Sequence, residues 1–553
     1  MKFYAHFNKI FVFTGIFSFI FCAEILAAIP SYDELLKAPN GLARDYYIYR
    51  YASEKKPNKA KLRVLREKIY RYTGKIKTKF DEILGEYNVH NRCNGELITL
   101  SKQCQRDVIT KKYLSDLSPE QRNELAKHYK QHDHGLYVFI KSYDLGLDFL
   151  FSQNSDFALM KFYKGAENKK EILDLSKFSP GLWVNLSSNW AFLSLVNEAV
   201  ILDKNDDLKE KLLALNPSKP RADVAFLAGV NAIIHNDDKK ALNFFNQAAK
   251  TAKNAIYRDN ALFWVYLISK NKAVLQNLAK SNSINIYSLY AYEKLGTKPF
   301  DVIVPKPTRK KAKNYDITNP FSWDIVRAKA SKLKGSELMK FAGKFYTKET
   351  LGEYTYLMER AHNYKKHYYP LPFMDKIGTN DIKRQALILA LARQESRFIT
   401  GSVSTSYALG MMQFMPFLAR DIGKKELEIP DFDESDMFKP DIAYRFANHH
   451  LDYLQTYLKN PVFVAYAYNG GIGFVKKMLL GGKIFNPNNA KNKYEPFLSM
   501  ELVPLSESRD YGKKVLANYI IYRAILGSST KISQFFESLM IPADSDTFRQ
   551  KQP

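Results

Sequence analysis

Cysteine is scarce in this chain, 3 in 553 residues, and none lies beyond Cys104, so the C-terminal part offers no thiol nucleophile. Glycine is sparse too, at 25 residues. Neither a Gly-x4-Gly-Lys-Ser/Thr phosphate loop nor a Gly-x-Ser-x-Gly nucleophile elbow occurs, which excludes those two routes to phosphoryl and acyl chemistry. No zinc-finger, RRM or basic-zipper pattern appears, so the familiar nucleic-acid modules are missing. The apolar run from Ile10 to Cys22, at about 13 residues, is short for a membrane span. Acidic residues are outnumbered, 57 against 83 basic, for a formal charge of +26.

What is present points to a globular, mainly α-helical protein. Hydrophobic content is 46% and aromatic content 14%, ample for burial. The length predicts two or three domains. Lys2 and Lys9 precede the apolar run, and Ala23, Ala27 and Ala28 follow it, which reads as a cleaved export signal over residues 1–28. A lipoprotein reading of Cys22 fails, because Phe21 stands where a small residue is needed. Export would place Cys93 and Cys104 in an oxidising compartment, where they form a candidate disulfide; two free buried thiols are the alternative. The basic excess reads either as lysine-rich solvated helix faces or as attraction for a polyanionic partner. Nucleic acid is not that partner for an exported chain.

From about residue 29 to 297, helix follows helix across short polar turns. Val224–Asn236 carries Ala225, Phe226, Ala228, Ala232 and Ile233 as stripes, and Lys239–Lys250 carries Leu242, Phe245 and Ala249. Asp259–Lys270 follows with Ala261, Trp264, Val265 and Ile268. Small residues on one helix and aromatics on the next predict stacked antiparallel pairs, an α-superhelix without a strict repeat. Lys306–Lys313 reads as a solvated linker, and helical patterning from Ser322 to His367 suggests a small linker domain over 298–367. Tyr369-Pro370-Leu371-Pro372 discourages helix and opens a C-terminal domain over 368–553. Helices are expected there near 381–397, 441–459, 461–468, 472–480 and 507–526. The loop Gly481–Tyr494, rich in Asn, Lys and Gly, is expected to be mobile.

The most informative stretch is Ala392-Arg393-Gln394-Glu395-Ser396-Arg397-Phe398. Leu387, Ile388 and Leu391 recur at helical spacing, and Glu395 falls four after Leu391 and seven after Ile388. A carboxyl group on a buried helix stripe loses solvation, so its pKa rises and it keeps a proton near neutrality, as a general acid must. The bland alternative is a surface glutamate at a frayed helix end. Three more segments follow in order: Ser404-Thr405-Ser406-Tyr407-Ala408-Leu409-Gly410-Met411-Met412-Gln413-Phe414-Met415-Pro416, Ala467-Tyr468-Asn469-Gly470-Gly471, and Glu507-Ser508-Arg509-Asp510-Tyr511.

Together with the Glu395-Ser396 pair, these segments resemble the catalytic domain of the soluble lytic transglycosylases, bacterial enzymes that cut the glycan strands of peptidoglycan. The resemblance covers the last third of the chain. It implies a lysozyme-like catalytic domain preceded by a large curved α domain. It also implies one glutamate, Glu395, that first protonates the leaving oxygen and then takes a proton from the C6 hydroxyl of muramic acid, giving a 1,6-anhydro end. Ser404, Gln413, Met415, Tyr468, Asn469 and Tyr511 occupy the family's substrate-contacting positions, Tyr511 as the hydroxyl that reaches the glutamate. For Met415 a core position, for Asn469 helix C-capping and for Tyr511 ordinary helix packing are the competing roles. Ser396, Glu507 and Arg509 are expected to brace the site. Asp421, Asp431 and Asp433 are the nearest second carboxylates, and none sits on a helical stripe.

No cofactor and no metal are implied. His128, His132 and His134 with Asp133 have ligand-like spacing, but Lys127 and Lys130 oppose a cation. The implied partners are glycan strands and stem peptides, whose carboxylates suit the basic charge, with cell-wall enzymes on the helical domain; the implied setting is the periplasm of a Gram-negative bacterium, without an anchor after signal cleavage and as a monomer. A lysozyme-type hydrolase and a non-catalytic wall-binding scaffold are the rival readings. Tyr407 departs from the family's glycine, Met411 from its leucine and Ser508 from its threonine.

Overall fold

The computed structural model describes residues 29–85, 93, 95–166, 177–189, 192–297, 301–489 and 492–551. The expected export signal lies outside them. Among the described residues there is no strand, only isolated bridges such as Ile303 with Tyr368 and Leu409 with Phe414, and no helix is long and apolar enough to cross a membrane. The fold is mainly α, with a superhelical N-terminal region, a small helical linker unit and a C-terminal lysozyme-like α-rich unit.

The superhelix opens on a short helix, Tyr32–Lys37, and includes α1 (Leu42–Ala52), α2 (Pro119–His132), α3 (Ala222–Ile234), α4 (Asp238–Thr251), α5 (Ala255–Ser269) and α6 (Ile286–Leu295). Small residues on α3 let α4 approach closely: a Cβ on Gly229 would lie 2.7 Å from the Phe245 ring. Phe245 in turn stacks on Trp264 of α5, with centroids 5.2 Å apart. On α4 the buried face is Ala241, Phe244, Phe245 and Ala248. Leu242 and Ala249, expected inside, are half-buried, because at helical spacing both fall at one edge of the arc formed by those four residues. Cys93 and Cys104 form a disulfide with Cα atoms 5.4 Å apart.

The linker unit holds α7 (Pro320–Ala330), α8 (Gly335–Ala342) and α9 (Leu351–Ala361). It keeps its own core of Trp323, Val326, Leu338, Phe341, Phe345 and Leu357. The basic segment expected as a free linker is a strap lying on this unit. The carbonyls of Arg309 and Lys310 accept from the amides of Lys348 and Glu349, and the Arg309 guanidinium donates to the Gly343 and Tyr346 carbonyls.

The C-terminal unit contains α10 (Ile382–Glu395), α11 (Pro416–Asp421), α12 (Pro440–Gln455), α13 (Pro461–Gly470), α14 (Ile472–Leu480) and α15 (Ser506–Ile525). At its entry, where prolines forbid helix, the Pro370 and Pro372 carbonyls accept from the buried Tyr522 and Tyr444 hydroxyls. In the Gly481–Tyr494 loop, expected to be mobile, the described residues 481–489 and 492–494 are anchored instead. Lys483 pairs with Asp203 at 2.8 Å and Lys493 with Asp238 at 2.6 Å, both across to the superhelix. Phe485 is buried, and its amide donates to Ser499 Oγ. These partners are distant in sequence, so local composition gave no sign of them.

Both ends of the superhelix meet the C-terminal unit. Near the late end, Phe263 packs on Phe497 with centroids 4.9 Å apart. At the early end, Arg50 of α1 donates to both oxygens of Asp433 at 3.0 and 2.7 Å, and the Tyr46 hydroxyl donates to Glu434 at 2.8 Å. The path of the chain therefore closes on itself.

Candidate active site

Helix α10 starts on the Asp381 cap, whose carboxylate accepts from the amides of Lys383 and Arg384. Ala386 to Ala392 are buried without interruption, so the helix is enclosed on all sides rather than along one stripe. Charge returns only in the last turn, at Arg393 and Glu395. The helix stops at Glu395, two residues before the expected end, because Arg397 and Phe398 take left-handed φ of 59° and 66°. That turn is held from three directions. Ser396 Oγ donates to the Met411 carbonyl at 2.8 Å and accepts from the Ile399 amide at 3.1 Å. Helix α9 lies so close that a Cβ on Gly352 would sit 2.6 Å from the Phe398 carbonyl oxygen. Glu359 of α9, 3% exposed, accepts from Arg393 at 2.7 Å and pairs with Arg397, while the Arg393 guanidinium lies 4.2 Å over the Tyr369 ring.

Held in this way, the Glu395 carboxyl is half-buried. Burial pushes its pKa up to about 7; the Tyr511 hydroxyl opposes the rise and the Glu507 carboxylate nearby adds to it. Tyr511, on α15, donates to Glu395 Oε1 at 2.6 Å. Tyr468, on α13, donates to the Met412 carbonyl at 3.0 Å, and its hydroxyl is held protonated by burial and by the Glu395 charge. A carboxyl group at the border of its two states, in contact with a phenol and facing another, is equipped to give and retrieve a proton near neutral pH.

The Ser402–Met415 loop carries the remaining candidates. Ser404 Oγ accepts from the amides of Ser406 and Ala408, so this hydroxyl shapes the loop. Gln413 Nε2 donates to the carbonyls of Gly410 at 2.7 Å and Ser402 at 3.2 Å. Both amide protons are thereby engaged and Oε1 is the atom left for an external donor. Met415 is half-buried at the start of α11, beside Phe417, which is 62% exposed. Tyr407 sits at the tip with φ of 66°, a conformation that costs a bulky residue about 1–2 kcal/mol. Its buried ring packs against Tyr46 and Tyr49 of α1, and aromatic pairs worth about 0.5–1.5 kcal/mol each offset that strain.

Asn469 lies inside α13 rather than at its cap, which is Gly471 with φ of 85°. Its Oδ1 accepts from Ser508 Oγ at 2.6 Å, and its Nδ2 lies 3.4 Å from Glu507. Arg509 donates to the carbonyls of Val503 and Glu501, which steadies the start of α15. Glu507, expected to brace, is exposed and acts on Glu395 through its charge. Asp433 is committed to Arg50, and Asp421 pairs with Lys425. In the superhelix Asp133 caps a helix and pairs with Arg106, and among the described residues no cluster of three or more His, Cys, Asp or Glu forms. The sequence reading missed Glu359 and His450. The latter packs edge-on to Tyr468 and Phe414 and is kept neutral by burial, its pKa down at about 4. A polar residue inside the apolar pattern of α12 was the available signal.

Residues 374–490 match the family described as "Transglycosylase SLT domain". The soluble lytic murein transglycosylase of Salmonella typhimurium is 27% identical over 220 residues, 39% of this chain and 32% of that protein. Its Escherichia coli K12 counterpart is 31% identical over 145 residues, 26% of this chain and 21% of that protein. The matched stretches thus span a third or less of these relatives. The structure of an inactive mutant of the lytic transglycosylase Slt from Pseudomonas aeruginosa aligns with a TM-score of 0.52 at 15% identity, covering 88% of this chain and 79% of that one, a likeness of fold. The resemblance to the soluble lytic transglycosylases therefore holds in domain, relatives and architecture.

Proposed function

We propose that this chain is a peptidoglycan lytic transglycosylase whose catalytic residue is Glu395, and the observation that carries this is the Glu395 carboxyl, held near neutrality in contact with Tyr511. The protonated acid gives its proton to the bridging oxygen as the C1–O bond of the MurNAc residue breaks. The developing oxocarbenium ion is captured by that sugar's own C6 oxygen, and the C6 hydroxyl proton passes to the Glu395 carboxylate. Atoms balance without water, the acid is regenerated, and the product ends in 1,6-anhydroMurNAc. An internal nucleophile has a high effective concentration, which removes the need for a second carboxylate to hold water. Gln413 Oε1, Met415, Tyr468 and Asn469 would line the saccharide subsites, with Ser404 shaping the loop that presents Gln413. The catalytic unit would run from 368 to 553, with the superhelix (29–297) and linker unit (298–367) presenting the strand to it in the periplasm.

Mass spectrometry of the muropeptides released from purified sacculi tests the reading. Anhydro ends are one water lighter than hydrolytic ends; a product consisting only of the heavier ends would make the protein a hydrolase, and no release at all would make it a binder. A second test concerns Tyr511. Its hydroxyl lowers the Glu395 pKa, so Tyr511→Phe should move the alkaline limb of the activity profile to higher pH, while misorientation of the acid lowers kcat by about tenfold or more. An alkaline limb that shifts downward or stays in place would show that the phenol does not act on this carboxyl.

A further inference from the structure

We propose that Tyr407 is a positioning residue through which α1, at the far end of the chain, sets the substrate-binding loop; this rests on the function just proposed. The argument begins with the conformation. A tyrosine with φ of 66° sits where glycine is the easy choice, and such strain persists only where the surroundings over-determine it. Here the ring is 5% exposed, with centroids 5.4 Å from Tyr49 and 5.9 Å from Tyr46. The Tyr407 amide donates to the Ser404 carbonyl and the Ser404 amide to the Ala408 carbonyl. Three residues further on, Gly410 lies against the Met437 carbonyl so closely that a Cβ would be 2.0 Å from its oxygen. Met437 belongs to the Glu434–Phe438 turn, and α1 grips that turn independently. Tyr46 binds Glu434, Tyr47 lies 3.3 Å from Ser435, and Arg50 chelates Asp433 just before it.

One helix therefore holds the loop twice, directly through Tyr407 and indirectly through the turn under Gly410. Gln413 and Met415 leave the same loop. The Gln413 amide and its Nε2 both donate to the Gly410 carbonyl, so a tilt of the tip reaches Gln413 directly. The clamp governs where Oε1 of Gln413 meets the glycan, not whether Glu395 holds its proton.

The test compares Tyr407→Gly, which keeps the backbone conformation accessible and deletes the ring, with Tyr407→Phe, which keeps the ring. For Tyr407→Gly, KM for sacculus glycan should rise about tenfold, with kcat within threefold and the alkaline limb unmoved. Hydrogen exchange at the amides of Tyr407, Ala408 and Gly410 should quicken about tenfold, without change in α15. Tyr407→Phe should stay within twofold of wild type in both measures, and Tyr49→Ala should add little to Tyr407→Gly. Wild-type KM and exchange in Tyr407→Gly, or equal damage in Tyr407→Phe, would overturn the clamp. A wild-type protein that releases no glycan product would overturn the proposed reaction instead, and the exchange comparison would still decide the clamp.

Discussion

Glu395→Gln loses at least about a thousandfold in turnover and, above pH 7, melts at a higher temperature than the wild type. The first effect follows from removing the only proton the proposed reaction has to give, in a range where general acids contribute 10²–10⁴-fold. The second follows from the direction of the pKa shift. Burial pushes the carboxyl up to about 7 in the folded protein, against 4.5 for an unburied glutamate, so the folded state binds the extra proton between those values. The stability that goes with the neutral acid is complete below about pH 4.5, declines as pH rises through about 7, and is absent above it. The difference amounts to at most about 3 kcal/mol at full ionisation. The amide is neutral at every pH and its oxygen still accepts from Tyr511, so the variant escapes that cost. Melting curves at pH 5 and pH 8 should show a gap only at the higher pH, a few degrees at most. A gap of the opposite sign, or one equal at both values, would mean that Glu395 is not held at its border by burial.

The second large effect concerns Glu359. Glu359→Gln leaves Arg393 and Arg397 facing a neutral amide in a site where the glutamate is 3% exposed. Breaking a buried pair from one side costs about 3–5 kcal/mol, because the remaining charge is uncompensated. Arg397 keeps some access to solvent, with a side chain 35% exposed, which places the expectation at the low end of that range. Chemical denaturation should show the unfolding free energy lowered by that amount, read as a lower midpoint at an unchanged slope if the unfolded state is unaffected. A loss below about 1 kcal/mol would show that the arginines find other partners and that the helix end does not depend on the linker unit.

Much of the site was legible because its chemistry and its local structure coincide. The Glu395 helix, the Tyr511 partner and the helical pairs around Phe245 and Trp264 all follow from spacing or motif. What stayed hidden was long-range. Glu359 reads as an ordinary helix-surface glutamate until two arginines from another unit close on it, and Lys483 reads as a loop charge until Asp203 meets it. Ser404 and Gln413 lay in the expected motif, but their polar atoms turned mostly into their own loop, since a loop with three left-handed residues, Tyr407, Gly410 and Gln413, needs its carbonyls and amides satisfied locally. The tyrosine at 407 looked like a misfit in its motif. It fits only in the company of a helix some 360 positions earlier.

The closure of the chain on itself has a temporal side. The partners of α1 stand 383 and 388 residues away along the sequence, and proteins are made from the amino end. Helix α1 must therefore wait until the chain has been made through Ser435 before its tyrosines and arginine find their counterparts. A molecule arrested before that point would carry the superhelix with no settled Ser402–Met415 loop, so the surroundings of Glu395 are completed late in synthesis.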